Sequence, residues 1–516
     1  MSFPYTQSSS IKRSSVWIWL PAIILASFFG SLLALGIYPV IIILVLLVLG
    51  PLLVVYPKIG LWVSIIGALV FAGLIDLYFP ALRPIKWVVT ILSIALLIVS
   101  TSSSFLTLTS SPKSFKHPPS LMLWILGFVM CVVFSSLFNW GGLSSLSVGL
   151  KGYFQVWGLL FVIYFLIKDE KEAAKLMRFL LILGLIQLPF VLHQFIVLVP
   201  KRSGLIAAEH NIVAVDIVAG TFGGSMSGGG RSSSLALLIV VCVTLILASW
   251  REGLIGIRRM AVTSFILFLP LLLNEAKIIV VLLPVVMLLL FYDRILTNPF
   301  KFIAGLGITS MLLSALFAAY LLLPGAQPAG GRSIESVYRQ TLEYNVGRLG
   351  YGGLALNRLT VYKFWFDEHM HVGSAANLLI GHGPGQTNDG SAILSNSLST
   401  TRYPGYGIGL TGFSAMLWEI GLIGTGIALT ILFSAYRLGD KLAKQWRNTS
   451  QWPLIKAAQI SMPLFGISLL HNNFFIVDLS YQALFILLVS YLLVMSRFAK
   501  VNDKKVSNAT KTPQTA

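Results

Sequence analysis

Asn357 to Gly385, NRLTVYKFWFDEHMHVGSAANLLIGHGPG, holds the densest set of residues able to do chemistry. Asn357 is a good N-cap, since its side chain can accept from a free amide of the first helical turn. From there Arg358, Tyr362, Trp365 and His369 fall at i, i+4, i+7 and i+11, so a helix carries all four on one face. A cation, a phenol, an indole and an imidazole in one row suit a face that meets a diphosphate, a sugar ring and a proton in transit. The plainer reading is an interfacial helix anchored by Trp and Tyr at headgroup level.

Other candidates lie around this stretch. His371 follows Asp367 by four residues, a spacing that lets a carboxylate orient an imidazole. His382 stands in a tight glycine turn, GHGPG. Glu419 sits in an apolar run, and His471 opens HNNFFIVD, seven residues before Asp478. Any of these is a candidate general base, with His369 or His371 preferred; a lone His at a helix end is more often structural. Lys277, in LLLNEAKIIV, lies in a nearly continuous apolar run, where an ion is costly unless it is used. Lys201, Arg202, Arg231, Lys277 and Arg358 are all expected at the outer surface or just below it, where guanidinium forks and ammonium charges can clamp a diphosphate. Attraction of anionic headgroups is the plainer account of Lys201 and Arg202. The glycine-rich segment Gly220–Gly230 offers backbone amides for phosphate, or is simply a connector. No metal-ligand spacing, nucleotide loop or hydrolase elbow is present.

The elements that must position these residues are membrane helices. Of the 516 residues 56% are hydrophobic and only 11% charged, against roughly 25% charged in soluble domains. Apolar runs near the length of a bilayer span recur along most of the chain. The expected fold is an all-α polytopic membrane protein with about fourteen spans, near 16–36, 38–56, 60–78, 87–101, 119–139, 152–167, 177–199, 232–249, 261–275, 277–292, 302–323, 409–436, 455–473 and 477–496. The pair 261–275 and 277–292 is the weakest and reads as partly re-entrant. The layout is 1–323 as spans with a glycine-rich outer loop at 200–231, 324–408 as a large outer loop, 409–496 as the closing spans, and 497–516 as a disordered tail.

The net charge of +19 reflects Lys and Arg concentrated in alternate loops rather than a nucleic-acid partner. That bias places both termini in the cytoplasm. Arg83, Lys86 and Lys151 break it, and so do Arg332, Arg339, Arg348, Arg358, Lys363 and Arg402 in the large loop. Outward cations need another reason, such as an anion bound at the outer face. Cys131 and Cys242 lie inside apolar runs and read as core residues. No inverted repeat is visible and the spans are poor in acids, which argues against a secondary transporter.

The chain resembles the O-antigen ligase and O-antigen polymerase (Wzy-type) superfamily of bacterial envelope glycosyltransferases. Gly220-Thr221-Phe222-Gly223 is similar to the start of that family's GTFGNPN segment, without the NPN. Asn274 to Lys277 resembles its TxSR signature, with Lys277 in place of the arginine. Arg358, Trp365 and GHGPG resemble its Arg, Trp and Gly-x-Gly loop pattern, and Glu419-Ile-Gly421-Leu-Ile-Gly424 resembles its closing E-x-G-x-x-G. Ligases of the family carry a histidine where this chain has Leu410, which favours a polymerase.

The resemblance implies a metal-independent, GT-C-like glycosyltransferase without a cofactor in the bacterial inner membrane. Its substrate would be an oligosaccharide on undecaprenyl diphosphate, and chain-length regulator and export proteins would be partners. Arg358, Lys277 and Arg231 would hold the diphosphate, Tyr362 and Trp365 the sugars, with Arg202, His382 and Arg348 at the substrate and a base near His369 or His371. A ligase, a lipid-linked-sugar flippase and a non-catalytic scaffold are the alternatives.

Overall fold

A computed structural model describes residues 50–108, 119–206, 214–226, 229–274, 276–300, 354–371, 374–388 and 396–509, with isolated positions between 303 and 350. The expected span at 16–36, residues 38–49 of the span at 38–56, most of 302–323, and Arg332, Arg339 and Arg348 therefore lie outside the described residues.

The described chain is helical, with only an isolated bridge between Gly224 and Gly230. Eight helices are long and apolar enough to cross a membrane: α1 (Pro57–Tyr78), α2 (Pro80–Ser102), α3 (Ser120–Phe138), α6 (Glu170–Arg202), α7 (Ser232–Arg251), α12 (Gly412–Gln445), α13 (Trp452–His471) and α14, whose span is Leu479–Ala499. Between α3 and α6, the paired helices α4 (Gly142–Phe154) and α5 (Gly158–Leu166) bend by 44° and count as a ninth if taken together. The expected spans near 261–275 and 277–292 are shorter helices, α8 (Ile257–Leu272) and α9 (Ile279–Thr297), each with an internal proline, Pro270 and Pro284. α8 has 16 residues and α9 is kinked at Phe291, so the unbroken apolar stretch of each is shorter than the eight helices named above. α10 (Thr360–His371) and α11 (Ala375–Ile380) are short helices of the large loop. The last helix runs on to Ala509, so the expected disordered tail from 497 is helical over its first part.

Burial sorts the helices by position. The α14 span is buried throughout and 83% of the α7 span is buried, whereas only 22% of the α2 span is. α14 and α7 are therefore the axis of the bundle and α2 lies at its edge. The outward apolar side chains, among them Phe71, Met130, Phe134, Phe265 and Phe433, have no reason to face water and form a belt for lipid. Chain alternation puts Tyr78, Phe138, Arg202, Leu272 and His471 at one end of the bundle, with the starts of α7, α12 and α14. At the opposite end Lys58 pairs with Glu172 at 2.7 Å, Arg251 with Asp293 at 2.6 Å, and Arg497 donates to the carbonyls of Tyr164 and Ile167. The candidate site residues that the structure describes gather at the first end.

One loop shows how that end is built. α1 contains a π-turn over Gly67–Phe71, and the Leu69 carbonyl accepts from Thr221 Oγ1 at 2.9 Å. Two glutamines of α6, seven residues apart, hold the same loop. Gln194 Oε1 accepts from the amides of Ala219 and Gly220, and Gln187 Oε1 accepts from the amide of Thr221. Gly73 has no room for a side chain, because a methyl there would strike the backbone of Thr221 and Phe222. The amide of Gly230 goes to Asp216 Oδ2 at 2.7 Å. These amides are spent inside the protein, so this part of Gly220–Gly230 is a docking segment and not a phosphate cradle.

Candidate functional site

The face expected of α10 forms. Val361, Trp365 and His369 are buried, Arg358 and Tyr362 half-buried, and Lys363, Phe366 and Met370 exposed. Asn357 begins the turn, its Oδ1 accepting from the amides of Leu359 and Thr360 at 2.9 Å. At this end Arg358 Nε donates to the His471 carbonyl at 2.7 Å and a terminal nitrogen donates to Asn345 Oδ1 at 2.5 Å. Tyr362 shares a 2.9 Å hydrogen bond with Thr411 Oγ1 at the cap of α12. Burial holds the Tyr362 phenol above its ordinary range. Two distant stretches, around 358 and 471, thus meet.

The other end of α10 carries a histidine pair. His369 Nε2 and His382 Nε2 are 3.2 Å apart, and His369 Nδ1 is 2.8 Å from the Trp365 carbonyl. A carbonyl only accepts, so Nδ1 of His369 carries its proton and Nε2 is left as an acceptor. His382 must then supply the shared proton from Nε2, which leaves His382 Nδ1 as an acceptor. Trp365, Trp418 and Tyr403 wall the pair, with ring centroids of His369 and Trp418 4.9 Å apart. Loss of hydration in this cage pushes His369 down and His382 down to about 4, His382 further because His369 and Arg402 are neighbours. Tyr403 gives its hydroxyl to Glu368 at 2.6 Å, and Arg402 pairs with Glu368 at 3.2 Å. His371 is exposed at the end of α10. The stretch holding His382 is fixed by α12 and α3. The amides of His382 and Gly383 donate to the carbonyls of Trp418 and Glu419, at 2.8 and 2.9 Å. Gly421, with φ 64° and ψ −167°, breaks α12 there, and a methyl on it would strike the Leu379 carbonyl. Asn139 Nδ2 donates to the Gly381 carbonyl, and Ser135 Oγ to the carbonyls of Ile380 and Glu419. Glu419 is fully buried, its Oε1 accepting from the amide and hydroxyl of Thr387. Glu419 is therefore an anchor for the GHGPG turn.

Arg231 is placed elsewhere. Its guanidinium pairs with Asp76 at 2.8 Å and Asp478 at 3.4 Å, and Asp76 also pairs with Lys86 at 2.7 Å. Its expected role on a diphosphate gives way to this pairing, because two buried carboxylates already claim the fork. Arg202 is fully buried at the end of α6. Arg348 lies outside the described residues.

Sequence reasoning missed Gln187, Gln194, Asn139 and the joint role of Asp76 and Asp478. Their signal was available, since polar residues within or beside apolar spans are costly unless partnered. Among the described residues no three His, Cys, Asp or Glu side chains group as metal ligands. No known protein-family model matches the chain, and no curated protein matches it.

Proposed function

We propose that this chain is a polysaccharide polymerase of the outer face of a bacterial inner membrane. It would transfer a glycan from undecaprenyl diphosphate to the next lipid-linked repeat unit. The observation that carries the reading is Arg358 held on the His471 carbonyl at 2.7 Å, with Tyr362 beside it and the His369–His382 pair further along the same stretch.

In this reading Arg358 and Lys277 take up the negative charge that grows on the diphosphate as it leaves. The acceptor hydroxyl oxygen attacks the anomeric carbon, and the carbon–oxygen bond to the diphosphate breaks with its electron pair going to the phosphate oxygen. The hydroxyl proton passes to the imidazole pair, which burial keeps neutral and ready to accept. His369 sets the tautomer, and Trp365 and Trp418 supply apolar faces. Such a leaving group needs neither nucleotide nor metal to activate it.

The test is glycan size in a strain lacking this protein, complemented with wild type or with Arg358→Ala at equal abundance. Single repeat units without long chains in both the empty and the Arg358→Ala strains are expected. Long chains that persist on the lipid carrier would make it a ligase instead. Wild-type lengths with Arg358→Ala would remove Arg358 from the site.

A further inference from the structure

A second cationic group lies at the same end of the bundle, on other elements. Lys86 pairs with Asp76 at 2.7 Å, Arg83 approaches the same carboxylate at 3.9 Å, and Arg231 bridges Asp76 to Asp478. Lys151 of α4 lies with its ammonium 4.7 Å from the centre of the Trp87 ring, within electrostatic reach of Lys86 and Asp76. Arg83, Lys86, Lys151 and Arg231 set four positive charges against the two negative charges of Asp76 and Asp478, so two are uncompensated among the described residues. The Lys86 and Arg231 side chains are only 20% and 19% exposed and Asp76 4%, while Arg83 reaches over them from the surface at 48% exposed. Recessed charge of one sign is expensive to keep, and simple adsorption to headgroups would not require cations to be recessed.

The two cationic groups are joined by a run of contacts. Arg358 holds the His471 carbonyl, Asn472 Nδ2 donates to Ser233 Oγ at 3.1 Å, Ser234 faces Asp478 at 3.4 Å, and Asp478 pairs with Arg231. The starts of α7 and α14 thus separate two basic patches on one face of the protein.

We propose that Arg83, Lys86 and Lys151 form a second anion site, separate from Arg358 and Lys277, for the diphosphate of the acceptor lipid. This rests on the polymerase reading, in which donor and acceptor each bring a polyprenyl diphosphate and both must be held at once. The two uncompensated charges suit a group carrying two or more negative charges, and Trp87 beside Lys151 offers a ring at headgroup depth.

The experiment uses the full chain in phosphatidylcholine nanodiscs, with inorganic diphosphate as probe. Saturation binding is expected to resolve one class of site lost in Arg358→Ala and another weakened about tenfold or more, about 1.4 kcal/mol, in Arg83→Gln/Lys151→Gln. Arg83→Lys/Lys151→Arg restores it, which separates charge from folding. Binding unchanged in the Arg83→Gln/Lys151→Gln protein overturns the site. Phosphatidylglycerol that displaces the Lys151-dependent class at membrane-like content assigns it to bulk lipid and overturns the acceptor role. The same proteins are given lipid-linked repeat units. Elongation by wild type that survives Arg83→Gln/Lys151→Gln sinks this site and leaves the polymerase standing. Lys151-dependent diphosphate binding without elongation by wild type leaves an anion site and sinks the polymerase.

Discussion

His369 and His382, thirteen residues apart, face each other nitrogen to nitrogen across 3.2 Å. Because Nδ1 of His369 already serves the Trp365 carbonyl, one proton lies between the rings. The pair is a neutral unit at ordinary pH, and protonating it adds a charge to an aromatic cage.

That has a sign. His382 is pushed down to about 4 from an unfolded value near 6.5, so below 6.5 the unfolded chain binds the proton and the folded chain does not. Stability is therefore full above about pH 6.5 and falls as pH drops toward 4, by on the order of 2–3 kcal/mol at most. Thermal melts of the detergent-solubilised protein across this window should show the slope. His382→Gln should flatten it. A slope unchanged in His382→Gln would place its source elsewhere.

His371 is the internal control. It is exposed at the end of the same helix, so His371→Ala should change stability by no more than about 0.5 kcal/mol and leave glycan length as in wild type. Loss of long chains with His371→Ala, at normal abundance, would return it to the list of candidate bases.

Gly421→Ala should be severe. Its φ of 64° with an extended ψ is open to glycine and hardly to other residues, and the added methyl meets the Leu379 carbonyl. A cost of about 2–4 kcal/mol is expected, read as a lower melting temperature together with greater protease sensitivity near Gly381–Gly385. Unaltered melting would mean that α12 can straighten without disturbing the GHGPG turn.

Asp76 and Arg231 should behave as a buried pair. Asp76→Asn or Arg231→Met alone leaves a partner's charge uncompensated and should cost about 3–5 kcal/mol. Asp76→Asn/Arg231→Met should recover part of the loss, since both charges go together. Additive losses in a double-mutant cycle would show that the two do not act on each other.

Gln187→Leu removes the acceptor of the Thr221 amide and the donor to Thr221 Oγ1. Leaving that amide buried and unmatched should cost about 1–3 kcal/mol. Hydrogen exchange should rise at Gly220–Phe222 before it rises in α7. Equal protection in mutant and wild type would mean the loop is held by its packing alone.

Much of this was legible beforehand. The inward face of α10 followed from residue spacing, because a helix puts i, i+4, i+7 and i+11 together whatever surrounds it. The all-α membrane class followed from composition. Spacing within a helix says nothing of what faces it, and so the partner of His369 was hidden: His382 reaches it only because Gly421 breaks α12 and its carbonyls catch the GHGPG turn. Arg231 misled for a related reason. A cation before a span reads as surface charge until Asp76 and Asp478, 155 and 247 residues away in the chain, are seen to fold onto it. Among the described residues 261–275 and 277–292 form shorter helices than the eight long apolar ones, α9 being kinked at Phe291.

The α14 span is sheathed by protein along its whole length, and the other described spans all precede it in the chain. Until it arrives they lack the helix that fills their centre with Tyr481, Phe485 and Tyr491. The described bundle therefore closes around a segment made after the rest of it. A nonsense mutation before Leu479 removes the keystone and hands an unfinished shell to the membrane proteases.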